Sequence, residues 1–331
     1  MTIHKTLAPL ALLTLVLALP APSNPPARSV GVSPAPTAVP TSQVLRLVAA
    51  AARITTLPKD LTPTLEDADR DGGDLLSQTQ PGCYLVFARA SVPACVWGDR
   101  AGSHTLVLLG DSHARMWLSA FDAIGKRLHW KVVLLAKSGC PPPYTGFYSG
   151  AYGKEYTECD RWHSYVISRI NHMNPDLVVM SGNDGHPINS EHKPMTKAEW
   201  AAGLLKTLNM IKSPKTKKVV LGDIPRPGHN PWNNVSGPYC LAAHEDDVQA
   251  CSSQRATVLK GLYNDVEQSV AKQAGAQYID VFPWFCSSVC TEVIGNMVVF
   301  LDQNHITSTY ATYLSGALQA ALQPAMTRVR S

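Results

Sequence analysis

Charged side chains are scarce in this chain. Asp, Glu, Lys and Arg make up 16% of its 331 residues, and the net charge at neutral pH is +4. That balance supplies no basic face for nucleic acid and no acidic excess that would keep the whole chain unfolded. The one dense basic run, Lys212 to Lys218, contains a proline and precedes an apolar segment, so it reads as a solvated loop. Metal-ligand spacing is also missing: no histidine pair falls at a recognised interval, and three of the four cysteine couples are too widely spaced for a zinc knuckle. Asp67 to Gly72 opens like a calcium loop, but its twelfth position is Gln78 instead of a bidentate glutamate, which leaves a solvated acidic turn. Neither a metal nor a cofactor is expected. Long apolar runs are nearly absent, the exception being Leu7 to Leu19, which follows the positive Met1 to Lys5 and precedes prolines and small residues. Such a run is short for a membrane span. Residues 1–21 read as a secretory signal, with a retained N-terminal anchor as the competing reading.

What is present points to one large domain outside the cytoplasm. Hydrophobic residues make up 45% of the chain, enough for a sizeable core. Residues 22–43 are rich in Pro, Ala and Ser and read as a linker. Residues 44–103 form an N-terminal extension, with a short helix over Val44 to Ile54, and 104–331 form the main domain. The eight cysteines fall into four neighbouring couples, Cys83/Cys95, Cys140/Cys159, Cys240/Cys251 and Cys286/Cys290. An even count in an exported chain favours disulfides. Pairing of neighbours rests on short loop closure, with roughly 105 connectivities formally open.

From Ser103 onward short apolar runs alternate with longer segments: Thr105–Leu109, Lys131–Ala136, Asp176–Met180, Lys218–Leu221 and Gln277–Val281. Strands joined by connections of this length imply right-handed crossovers. The expected fold is a three-layer α/β/α sandwich around a five-stranded parallel sheet. Thr307 to Val329, with Tyr310, Leu314, Leu318 and Leu322 four apart, reads as an amphipathic closing helix.

The first strand runs into Gly110-Asp111-Ser112-His113-Ala114, which sets a serine at the carboxyl end of a parallel strand, where such sheets form their crevice. Taken alone, a Gly-Asp-Ser turn is more often a helix cap. Three further blocks sit at equivalent places: Ser138-Gly139-Cys140-Pro141, Ser181-Gly182-Asn183-Asp184 and Asp302-Gln303-Asn304-His305. A nucleophilic serine needs a base, the base needs an orienting carboxylate, and the oxyanion needs donors. Ser112, His305 and Asp302 fill the first three roles. The backbone N–H groups of Ser112 and Gly139 and the side-chain amide of Asn183 are the candidate donors. His113 is expected to point away from the serine, on a helix surface or lining the substrate. Asp184 and His186 read more simply as loop than as substrate contacts, and Trp232 as a residue that could stack on a sugar ring.

In that order, these blocks resemble the SGNH hydrolases, whose fold is flavodoxin-like. They are closer still to the extracytoplasmic SGNH domains fused behind the membrane domain of acyltransferase family 3, which O-acylate surface glycans. His113-Ala114, Cys140-Pro141-Pro142, the Asp-x-x-His followed by threonine, and Cys83/Cys95 with Trp97-Gly98-Asp99 carry that second likeness, which runs from about Val44 to the C-terminus. The chain departs from the family in its third block, one residue short of Gly-x-Asn-Asp, and in lacking the multi-helix membrane half. The resemblance implies an exported enzyme working through an acyl-Ser112 intermediate. The Pro- and Gly-containing turn Gly139 to Pro143 and the lack of a lid-like apolar helix point to a short acyl group, acetyl being the expectation. The acceptor would be an envelope glycan hydroxyl, and a separate membrane acyltransferase would be the donor. A secreted carbohydrate or general short-chain esterase acting on a small ester is the alternative, and an inactive glycan-binding module the second.

Overall fold

The computed structural model describes residues 36–72, 82–93, 95–150, 152–185, 187–226 and 236–327. The expected signal, most of the linker, His186 and Trp232 lie outside these. Seven strands form the main sheet: β1 (Tyr84–Leu85), β2 (Val96–Gly98), β3 (His104–Gly110), β4 (Trp130–Lys137), β5 (Leu177–Ser181), β6 (Lys217–Leu221) and β7 (Gln277–Ile279). Their order is β1-β4-β3-β5-β6-β7, all parallel, with β2 antiparallel on β4. The five expected strands thus form the central run, in the order of a doubly wound flavodoxin-like sheet. The expected count of five falls short because β1 and β2 are too brief to show periodicity.

Alternation along the strands divides the interior in two. Leu106, Leu108, Val132, Leu134, Val179 and Val219 face one layer, and Val107, Leu109, Val133, Leu135, Val178 and Val220 face the other. The first layer contains α1 (Thr41–Ala51), α2 (Ser112–Met116), α3 (Leu118–Leu128), α7 (Ser308–Tyr313) and α8 (Ser315–Thr327); the second contains α4 (Thr157–Met173), α5 (Lys197–Met210) and α6 (Asn264–Gln273). Helix ends follow local chemistry. Thr196 and Glu199 form a reciprocal capping box on α5, while His129 and Asn174 end α3 and α4 in the left-handed conformation. The closing segment is two helices and not one, divided at Leu314, although Tyr310, Leu314, Leu318 and Leu322 are all fully buried as the spacing requires.

All eight cysteines are paired, Cys83–Cys95, Cys140–Cys159, Cys240–Cys251 and Cys286–Cys290. Strand register brings the site together: Gly110 pairs with Ala136 on one side and Ser181 on the other, so the turns after β3, β4 and β5 leave the sheet at one level. Among the described residues, no helix is long and apolar enough to cross a membrane.

Candidate active site

Close packing and one buried carboxylate shape the serine turn. A Cβ on Gly110 would lie 1.8 Å from the Ser181 carbonyl oxygen and 3.0 Å from Ala114 Cβ, so only glycine lets β3 finish against β5. Asp111 is buried and uses both carboxylate oxygens: Oδ1 accepts the His113 N–H at 2.8 Å, capping α2, and Oδ2 accepts the Asn183 N–H at 3.0 Å. One carboxylate therefore ties the serine turn to the block after β5. Its burial pushes its pKa up against those hydrogen bonds and the charge of His113.

Asp302 and His305 occupy a tight loop closed by the Leu301 N–H donating to the His305 carbonyl at 3.0 Å and by a bridge between Phe300 and Ile306. Asp302 Oδ1 accepts the N–H groups of Asn304 and His305, at 2.9 and 2.8 Å, which leaves Oδ2 for His305 Nδ1 at 2.7 Å. Burial raises the Asp302 pKa, but the hydrogen bond and charge of His305 outweigh it and hold the carboxyl below its usual range. With Nδ1 engaged, Nε2 is the open end of the ring. It is buried and has no hydrogen-bond partner among the described residues. The His305 ring packs edge to face on that of His113, the residue after Ser112, with centroids 5.2 Å apart. The Ser112 hydroxyl and Nε2 are not hydrogen-bonded to each other; catalytic hydrogen bonds are often long in the absence of substrate.

The candidate oxyanion donors come from the neighbouring turns. Gly139 sits at φ +59°, a conformation that favours glycine, and Gly182 packs so closely that a Cβ there would meet Pro142 Cδ at 2.3 Å. Ser138 is held from outside by the Tyr156 hydroxyl, which donates to its carbonyl at 2.7 Å. No hydrogen bond among the described residues engages the N–H of Ser112 or Gly139. For Asn183 the amide polarity is fixed: Oδ1 accepts from Arg226 Nη2 at 2.7 Å and from the Gly185 N–H at 2.9 Å, so Nδ2 is the free end. Together these donors can meet negative charge developing on a carbonyl oxygen.

Several residues at this site were not foreseen. His113 is neither a surface nor a lining residue. It is fully buried, with Nδ1 2.5 Å from Asp223 Oδ1. Asp223 and Arg226 follow β6, and Arg226 Nη2 reaches Asp223 Oδ2 at 2.5 Å. Burial opposes ionisation of Asp223, but the charges of His113 and Arg226 prevail and lower its pKa. Asp184 is fully buried in the same cluster; burial and the Asp223 charge push its pKa well up, as they do for Glu267. The surroundings therefore favour ionisation of Asp223 over that of its acidic neighbours. Tyr84 on β1 also reaches the site, where burial raises its phenol pKa and hydrogen bonding with Ser138 and then Ser112 opposes the rise. The sequence signal for Asp223 was the one that located the other blocks: a polar residue directly after an apolar strand.

The family of SGNH domains fused to AT3 domains matches residues 82–320. The chain belongs to this family. As an SGNH domain it is an acyltransferase or esterase. A search of curated proteins returned no match. Among solved structures, the periplasmic domain of a Salmonella Paratyphi A lipopolysaccharide acetyltransferase shares its fold. Identity is 15% and the TM-score 0.54, over 76% of this chain and 94% of that one. An acetylxylan esterase from Geobacillus stearothermophilus aligns at 14% identity with a TM-score of 0.41, over 69% of this chain and 96% of its own.

Proposed function

We propose that this SGNH domain is extracytoplasmic and transfers a short acyl group, acetyl being the simplest, to a hydroxyl of an envelope glycan. The transfer runs through an ester on Ser112. The observation that carries the reading is the Asp302–His305 pair, whose one unengaged ring nitrogen is buried beside the Ser112 turn. Ser112 Oγ attacks the acyl carbonyl carbon while His305 Nε2 takes its proton, and Asp302 stabilises the imidazolium. The oxyanion is met by the N–H groups of Ser112 and Gly139 and by Asn183 Nδ2. Collapse expels the donor's leaving group, which takes the proton from His305. The acceptor hydroxyl then gives its proton to His305 and attacks the acyl-enzyme; collapse forms the new ester, breaks the bond to Ser112 Oγ and returns the proton from His305 to that oxygen.

Four disulfides support an oxidising compartment. The family's association with AT3 domains supports a membrane acyltransferase as donor. The test has two stages. Ser112→Ala should reduce hydrolysis of p-nitrophenyl acetate by about a thousandfold or more, and a loss below about tenfold would remove Ser112 from the nucleophile role. Deleting the gene and measuring glycan O-acylation by mass spectrometry then separates the outcomes. Loss of acyl groups restored by wild type but not by Ser112→Ala supports transfer; a gain of acyl groups makes the enzyme a deacylating esterase.

A further inference from the structure

Asn183 does not hold its amide in place by itself. Its Oδ1 is fixed by the Arg226 guanidinium, 6% exposed, whose Nη2 divides its two protons between Asn183 Oδ1 and Asp223 Oδ2. Asp223 in turn receives His113 on its other oxygen, the Ile224 N–H at 2.8 Å, and the Asp184 N–H at 3.2 Å. The space is shaped for the guanidinium: a Cβ on Gly185 would lie 1.1 Å from Arg226 Nη1. Ion pairs this buried add little stability beyond what an apolar replacement of the same volume would give, so their geometry is the more informative property.

We infer that Arg226, oriented by Asp223, is a positioning residue for acyl transfer, pinning the Asn183 carbonyl oxygen so that its amide nitrogen is presented to the oxyanion. The inference rests on the proposed role of Ser112 and Asn183. Without the guanidinium only the Gly185 N–H still holds Oδ1, and a rotated amide presents an oxygen, which repels the developing charge. His113 links this device to the serine helix, so nucleophile and donor are set by one connected group of side chains.

A double-mutant cycle on the whole chain tests it. Arg226→Lys keeps a cation opposite Asp223 but not the planar fork. It should lower kcat for p-nitrophenyl acetate about tenfold or more with KM changed less than threefold, since losing an oxyanion donor outright costs about a hundredfold or more. In an Asn183→Ala background the same substitution should cost less than twofold. Equal losses in both backgrounds, or a loss below twofold in the first, would overturn the inference. If Arg226→Lys does not fold, Gly185→Ala displaces the guanidinium without removing it and gives the same comparison. Labelling of wild-type Ser112 by a fluorophosphonate is run alongside. Absent labelling defeats the reading of Ser112 itself, whereas normal labelling with additive losses defeats only the role of Arg226.

Discussion

The site contains two histidine–carboxylate pairs, and their surroundings assign them different work. His305–Asp302 is local, three residues apart in one loop, with Asp302 side-chain exposure of 39% and His305 of 18%. His113–Asp223 spans 110 positions and is wholly buried. In the first pair both side chains keep some exposure to solvent, and His305 holds the Asp302 carboxyl below its usual range. In the second the carboxylate is surrounded by His113, Arg226 and backbone N–H groups, and every change of charge must be borne in the interior. Identical chemical groups thus suit the proposed proton transfer at the rim and a fixed electrostatic frame beneath it.

The widest separation is expected from parallel asparagine substitutions. Asp302→Asn should reduce esterase turnover by about a hundredfold to ten-thousandfold, by disturbing the His305 tautomer. Its thermal midpoint should fall by no more than about 2 °C. Asp223→Asn should do more to stability, because it removes the nearer of the two acidic partners of buried Arg226. Breaking such a pair costs about 3–5 kcal/mol, and calorimetry should show a drop of roughly 10 °C. Equal thermal losses in the two variants would erase the distinction.

Glu292 sharpens the comparison from the other side. It is 3% exposed, its Oε2 has no hydrogen-bond partner among the described residues, and burial alone pushes its pKa up to about 8. Asp223 is buried as deeply yet lies below its ordinary range, because His113, Arg226 and hydrogen bonds favour its charged form. Because the folded pKa of Glu292 is raised, its contribution to stability is complete below about pH 4.5 and is lost as pH rises through about 8. Wild-type melting temperature should therefore fall between pH 5 and pH 9. Glu292→Gln should remove several degrees of that fall, and parallel profiles for the two proteins would contradict the assignment.

The smallest effect is expected at Cys286–Cys290, which closes a loop so short that chain entropy accounts for about 2 kcal/mol. It lies in the core beside Phe285, whose ring packs on Phe300 at 5.9 Å, two residues before Asp302. Replacing both cysteines by alanine should lower the thermal midpoint by a few degrees and turnover by a larger proportion, since the Asp302 loop loses its brace. A stability loss with unchanged turnover would detach this disulfide from the site.

The rim pair was legible in the sequence because its geometry is local: Asp-x-x-His closes within one loop, and Ser112 follows an apolar strand directly. The positions of Gly139 and Asn183 beside the Ser112 turn were legible for a related reason, since each lies in the turn that follows a strand. The frame was not, since nothing near His113 announces a partner 110 positions away, and Gly222-Asp223-Ile224-Pro225-Arg226 reads as an ordinary turn. Asp223 nonetheless obeys the strand-end rule applied to the other three blocks, and only its lack of an evident chemical role hid it. β1 and β2 escaped notice because two and three residues cannot display a period of two. The break at Leu314 escaped because its spacing from Tyr310 and Leu318 is helical on both sides, so burial alone does not mark where one helix ends.

The most direct measurement is peptide mapping after the wild-type chain reacts with a fluorophosphonate. The account predicts a single adduct at Ser112, its rate reduced at least a hundredfold in His305→Ala. An adduct at any other residue, or none under conditions where p-nitrophenyl acetate is hydrolysed, would contradict it.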